Sequence, residues 1–235
     1  MNLSTAQILV TGGGSGIGLA TAELLRQRGA TVGIVGRREA VLKAAAERIG
    51  AIPFVADVRD EAQVAALIAR AVATMDGYTA LINNAGFGRF APLLDTTADD
   101  MRAVWETNVL GAMLVARESA KHFVAEQYGH IINIASTAGL RGFPGGTAYT
   151  ASKFALSAMT ECWRAELRTS NVRVTQINPS EVITDFAAAA GRPEQADDPS
   201  KLHGIDIARA IVDVLEMDDR ALVTDVTVWA TNPTK

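Results

Sequence analysis

The stretch "QILVTGGGSGIGLATAELLRQRG", Gln7 to Gly29, decides the fold. "QILVT" is apolar and partly β-branched, which suits a buried strand. "TGGGSGIG", Thr11 to Gly18, then crowds glycine into a turn. Glycine lets the chain reverse tightly and lets a ligand approach the main chain. From Ile17 the apolar spacing is helical, and Gly29 supplies a stop signal. The start of such a helix offers unpaired N–H groups and a positive dipole end to a phosphate. Taken alone, the turn is also compatible with an ordinary strand-to-helix connection.

The rest of the chain repeats the alternation. Short strand-like runs recur at Thr31, Ile52, Thr79, His130, Asn171 and Ala221. Between most of them lie helical patterns: one ending at Gly50, one following Asp60, a long one over 98–127 and another over 149–169. This order predicts an α/β fold, a doubly wound parallel sheet of about seven strands with helices on both faces. A length of 235 residues suits one domain over 1–235. The composition shifts only over 187–204, an expected excursion; the segment 186–204 is the candidate substrate loop.

Composition narrows the function classes. A net charge of −4 gives no basic footprint, so nucleic acid is not an expected partner. Cys162 is the only cysteine, which excludes an intrachain disulfide and a cysteine metal cluster. His122, His130 and His203 show no ligand spacing, so no metal is expected. No apolar run approaches the ~20 residues of a membrane span, and the N-terminus lacks a signal-peptide pattern. The expectation is a soluble, cytoplasmic protein.

In "YTASK", Tyr149 and Lys153 stand one above the other if the segment is helical. A phenol exchanges protons poorly at neutral pH, and a nearby cation favours the phenolate and lowers its pKa. The pair is a candidate acid/base with its tuner, or a tyrosine lying along a lysine stem. Ser136, in "IASTAG", is placed at a strand end to hold a developing oxyanion, or to make a turn. "NNAG", Asn83 to Gly86, closes the fourth strand and read alone is an Asn-Gly turn.

TGxxxGIG, NNAG, a serine on the fifth long strand and YxxxK, in this order, resemble the short-chain dehydrogenase/reductase family over essentially the whole chain. The resemblance implies a single-domain Rossmann fold that binds NAD(H) or NADP(H) and interconverts a carbonyl and a secondary alcohol. It implies that Tyr149 is the acid/base, that Ser136 holds the substrate oxygen, and that Lys153 also contacts the nicotinamide ribose. Asn108, in "WETNVLGA", then positions a water in a relay to Lys153. Gly12, Gly14, Ser15, Gly16, Ile17 and Gly18 form the cofactor turn. Asp57 and Val58 take the adenine end, Asn84, Ala85 and Gly86 the ribose and diphosphate side, and Pro179, Val182 and Thr184 the nicotinamide end. The family's usual Pro-Gly reads Pro179-Ser180 here, in a turn that glycine would suit.

Gly36-Arg37-Arg38 ends the second strand, where NAD-preferring enzymes carry an acid for the ribose 2′-OH. No carboxylate opposes a 2′-phosphate here, and a guanidinium pairs with one bidentately. NADP(H) is expected over NAD(H), mainly through Arg37; otherwise both arginines are solvated charges at a helix start.

The substrate pocket is expected between Gly88-Arg89-Phe90, Leu140 to Phe143 and the loop from Phe186. Arg89 and Arg141 are candidate carboxylate partners or ordinary loop cations. The resemblance leaves 3-oxoacyl thioesters, 3-hydroxy acids and other small carbonyl compounds open. A catalytically silent NADP(H)-binding sensor or scaffold is the alternative class; the complete Asn108–Ser136–Tyr149–Lys153 set favours an enzyme. Ala151, Phe154, Ala158, Cys162 and Ala165 form a stripe opposite the Tyr149–Lys153 face. With helix 104–123 it is expected to build a homodimer or homotetramer, unless a neighbouring helix of the same chain covers it.

Overall fold

A computed structural model of the chain describes residues 1–186, 190 and 198–231. Seven strands form one parallel sheet: β1 (Gln7–Thr11), β2 (Thr31–Gly36), β3 (Ile52–Val55), β4 (Ala80–Asn83), β5 (Gly129–Ile134), β6 (Val172–Pro179) and β9 (Asp225–Val228). Their order is β3-β2-β1-β4-β5-β6-β9. Ile8 of β1 is in register with Val32 on one side and Ala80 on the other.

Period-two alternation separates two cores. Ile8, Val10, Ile34, Ile82, Ile132 and Ile177 point to one face, and Leu9, Val35, Leu81, Ile131 and Val174 to the other. On the first face pack α1 (Gly16–Gln27), α2 (Glu39–Ile49) and α7 (Gly204–Glu216). On the second pack α3 (Glu61–Met75), α5 (Ala112–Ala125) and α6 (Thr147–Leu167), with α4 (Ala98–Trp105) leading into α5. Every strand from β4 to β6 is buried along its whole length, as a sheet covered on both faces requires.

Local signals explain most boundaries. Gly50 ends α2 in the left-handed conformation at φ 68°. Asp60 caps α3 by accepting from Gln63 N. The helix expected without a break over 98–127 is interrupted: Glu106–Gly111 is π-helical, between α4 and α5. The last strand begins at Asp225 rather than Ala221. Two short strands with no visible pattern, β7 (Val182–Ile183) and β8 (Leu202–His203), pair in parallel and join the two ends of the excursion. Of the candidate substrate loop, residues 187–189 and 191–197 lie outside the described residues.

The chain runs outward from β1 to β3, then returns to the other side of β1 for β4. This reversal opens a crevice above the carboxyl ends of β1 and β4, where open α/β sheets bind ligands.

Candidate active site

A cleft of about 1360 Å³ opens at this switch point. Gly12, Gly14, Ser15, Gly16 and Ile17 line one end. Gly12 (φ +65°) and Gly16 (φ +53°) sit where a side chain would strain the backbone, and a Cβ on Gly12 would stand 2.9 Å from Asn84 Nδ2. Ser15 is the N-cap of α1 but makes no side-chain cap, so the first-turn N–H groups are left to the cleft. A diphosphate fits this cradle: small backbone, unpaired donors and a positive dipole end in one place.

Thr11 and Asn84 brace the turn. Thr11 Oγ1 accepts from Asn84 N (2.9 Å) and Ala85 N (3.0 Å), and Asn84 Nδ2 donates to Thr11 O (2.9 Å). Gly18 does not reach the cleft wall. A Cβ there would lie 2.4 Å from Gly12 O, so this glycine lets α1 pack against the turn rather than touch a ligand.

Arg37, Arg38, Asp57 and Val58 line the far end beside Val41 and Leu42. Both oxygens of Asp57 accept from Arg59, which holds the carboxyl below its ordinary range. Arg37 stands 3.8 Å from Asp57, a loose contact with a carboxylate already engaged.

Ser136, Tyr149 and Lys153 line the other half, with Ala85, Gly86, Pro179, Val182 and Thr184 between the two halves. Ser136 caps a short turn by accepting from Ala138 N (3.1 Å), and its hydroxyl donates to Pro179 O (3.4 Å). Lys153 is buried, with Nζ donating to Ile134 O at 2.8 Å and standing 5.7 Å from the Tyr149 ring centroid. Ser180 carries no left-handed backbone; its N–H donates to Val228 O (2.9 Å), extending the β6–β9 ladder, so glycine is not needed there.

Asn108 sits in the π-helical segment, buried behind the wall rather than on it. It clamps the backbone of Phe87, accepting from Phe87 N (3.0 Å) and donating to Phe87 O (2.9 Å). Nδ2 also donates to Ser152 Oγ (3.0 Å), which donates to Tyr149 O (2.7 Å). A Cβ on Gly86 would stand 3.0 Å from Asn108 Oδ1 and 3.7 Å from Lys153 Nζ, so this glycine keeps the space between them open. Sequence reasoning missed Ser152, although "YTASK" places it one helical turn after Tyr149.

Electrostatics correct one expectation. The Tyr149 phenol is not lowered: burial pushes it up to about 12, against a smaller opposite pull from Ser136. Burial likewise lowers the Lys153 amine to about 8. Removing either group from water resists its charged form, and this outweighs the cation's spacing. At neutral pH the phenol therefore keeps its proton, the state an acid needs.

Aromatic rings surround that phenol. Phe90 and Phe186 lie 5.4 and 5.5 Å from the Tyr149 ring, and Phe143 lies 6.1 Å from Phe90. The expected pocket walls therefore meet at Tyr149. Arg141 lines the cleft, whereas Arg89 stays behind it, 3.8 Å from Asp100. Among the described residues, no cluster of metal-ligating side chains is present and no helix is long and apolar enough to cross a membrane.

Residues 6–195 match the family described as short chain dehydrogenase. An uncharacterized oxidoreductase of Staphylococcus aureus is 32% identical over 225 residues, covering 94% of this chain and 95% of its own. A 3-oxoacyl-acyl-carrier-protein reductase of Thermotoga maritima is 34% identical over 201 residues, covering 83% and 81%. The crystal structure of 3-ketoacyl-(acyl-carrier-protein) reductase from Brucella melitensis complexed with NADH superposes with a TM-score of 0.89 at 26% identity, covering 97% and 98%.

Proposed function

This chain belongs to the short-chain dehydrogenase family, whose members here are oxidoreductases acting on CH–OH groups, and on that premise we propose that it interconverts a carbonyl and a secondary alcohol with NADP(H) favoured over NAD(H). A 3-oxoacyl thioester or a 3-hydroxy acid falls within the proposed substrate range. The observation that carries the reading is the shared wall of Ser136, Tyr149 and Lys153 at the mouth of a glycine-lined cradle.

A bound nicotinamide cofactor supplies or takes the hydride. Tyr149 gives its proton to the carbonyl oxygen in reduction and accepts it back in oxidation. Ser136 stands beside it to donate a hydrogen bond to the same oxygen as negative charge develops. Lys153, fixed by Ile134 O, places a donor beneath the phenol and towards a cofactor ribose. Asn108 holds Phe87 and, through Ser152, the first turn of α6, so the phenol is presented from a rigid support.

The cofactor preference rests on Gly36 and on an Arg37 with little to give up. The assembly proposed is a homodimer or homotetramer through α6 and α5: Phe154 is 45% exposed, and Ala158, Cys162 and Ala165 are also exposed. No other helix of the chain covers the stripe among the described residues, which supports a second copy over an internal neighbour. A cytoplasmic setting belongs to the same proposal.

Turnover by wild type and Tyr149→Phe on a panel of ketones, aldehydes and oxoacyl esters tests the reading. Loss of general acid/base catalysis costs roughly 100- to 10,000-fold in rate, with cofactor binding kept. Near-normal kcat in Tyr149→Phe would refute the proton-donor role.

A further inference from the structure

One cation of the cleft serves neither the proton-transfer group nor the cofactor end. Arg141 lies just beyond the turn that Ser136 caps and lines the same cleft as Tyr149. Its guanidinium carbon lies over the Trp229 ring, 5.0 Å from the centroid. Trp229 directly follows β9 and is 48% exposed, so a separate part of the chain reaches across to fix this side chain. A cation–π contact uses no hydrogen bond, so the guanidinium N–H donors keep their capacity to grip a carboxylate with two parallel bonds.

The neighbouring charges have other partners. Arg89 pairs with Asp100, Lys201 with Glu181, and Asp57 with Arg59. Asp185, also on the wall, is exposed to solvent. Among the described residues no acidic side chain pairs with Arg141. The same cleft is lined by Phe90, Phe143 and Phe186, grouped around the phenol. The cleft thus combines an apolar aromatic surface around the phenol with a cation held against Trp229.

We infer that the substrate is an oxo acid or the matching hydroxy acid, with an apolar body against the phenylalanines and a free carboxylate held by Arg141, and that Trp229 is a positioning residue for that arginine. The inference rests on the oxidoreductase reading and selects within it. In reduction the carbonyl carbon gains a C–H bond with the cofactor's hydride pair, the C=O π bond breaks, and the oxygen takes the Tyr149 proton. The carboxylate is unchanged and serves only as a handle. A thioester or neutral ester of the same acyl group lacks the charge and leaves Arg141 unpaired.

Matched probes separate the possibilities: phenyl- and isobutyl-substituted 2-, 3- and 4-oxo acids, each beside its methyl ester, with NADPH. Wild type is expected to favour the best acid over its ester in kcat/KM by roughly tenfold or more, the scale of a charge-assisted hydrogen bond in partly exposed surroundings. Arg141→Gln should bring the acid to the ester's level and leave the ester unchanged. Trp229→Ala should raise KM for the acid with kcat retained, and again spare the ester. Calorimetric binding of 4-phenylbutanoate to the NADPH-loaded protein gives a readout free of turnover; it should persist in Tyr149→Phe and weaken in Arg141→Gln. An acid/ester ratio near one, or one unaltered by Arg141→Gln, overturns the inference while ester turnover leaves the oxidoreductase reading intact. Carboxylate binding through Arg141 without turnover of any probe counts against that reading and supports the carboxylate site. Failure of every acid to bind overturns the inference whatever the esters do.

Discussion

Lys153 Nζ donates to the main-chain oxygen of Ile134 at 2.8 Å, tying the helix that carries Tyr149 to the end of β5, two residues before Ser136. The amine is thus held by β5 as well as by its own helix, and it is buried. The contact gives precision at the site, and the burial of the amine costs stability.

That cost is measurable. The Lys153 pKa falls from an ordinary 10.5 to about 8. Below pH 8 the folded protein carries the buried charge at a penalty on the order of 3 kcal/mol. Between pH 8 and 10.5 the unfolded chain binds the proton that the folded one has lost, so the penalty fades as pH rises. Lys153→Met should lose activity while its melting temperature, measured without added cofactor, gains on wild type at pH 7. The gain should shrink as pH rises from 8 towards 10, and a pH-independent difference would exclude this account.

His130 acts in the acid range. It is 2% exposed, accepts or donates at Nε2 to Thr175 Oγ1 at 2.9 Å, and burial lowers its pKa to about 3. In the unfolded chain it binds a proton near pH 6.5. Stability should therefore fall as pH drops from about 6.5 towards 3, by up to about 1.4 kcal/mol per pH unit. His130→Asn should flatten that part of the stability curve in urea titrations; an identical slope would place the acid sensitivity elsewhere.

Arg37 tests the cofactor preference. Its 3.8 Å contact with Asp57 is weak, because Asp57 is already engaged by Arg59. A 2′-phosphate should therefore win it readily. Arg37→Ala should weaken NADPH by roughly tenfold and leave NADH almost unchanged. Equal titration curves for the two cofactors in the unmodified protein would defeat the NADP(H) preference.

Ala158→Glu tests the assembly. The residue lies in the exposed stripe of α6 beside the half-exposed Phe154. In a two-fold contact each charge would meet a copy of itself. Sedimentation at micromolar concentration should show an oligomer in wild type and a smaller species in the variant, with cofactor binding kept. A monomeric wild type would end the proposal.

Much of the molecule was legible in the sequence. The runs around Ile8, Ile34, Ile82 and Ile132 are apolar on both faces, as strands of a sheet covered on both sides require, and their alternation with helical patterns makes that sheet parallel. The glycine turn and the Tyr149–Lys153 spacing located the cleft from both ends. The misses have physical causes. Gly12 and Gly18 look alike in sequence, but one faces the cleft and the other faces Gly12 O. Strands of two residues, Val182–Ile183 and Leu202–His203, are too short to show a period. Trp229, just after β9, reaches Arg141, beyond the end of β5 two strands away, a contact no local pattern encodes. The phenol's pKa turned on dehydration, which spacing along a helix does not reveal.

The π-helical segment from Glu106 to Gly111 makes chain length part of the chemistry. It accommodates an extra residue that an ordinary helix would exclude, and each residue added to or removed from an α-helix rotates the downstream turns by about 100°. With α5 packed on α3 and the sheet, losing one residue here would swing Asn108 away from Phe87 and Ser152 while the sheet could still form. At this point substitutions leave the count intact, whereas a single-codon deletion would separate folding from function.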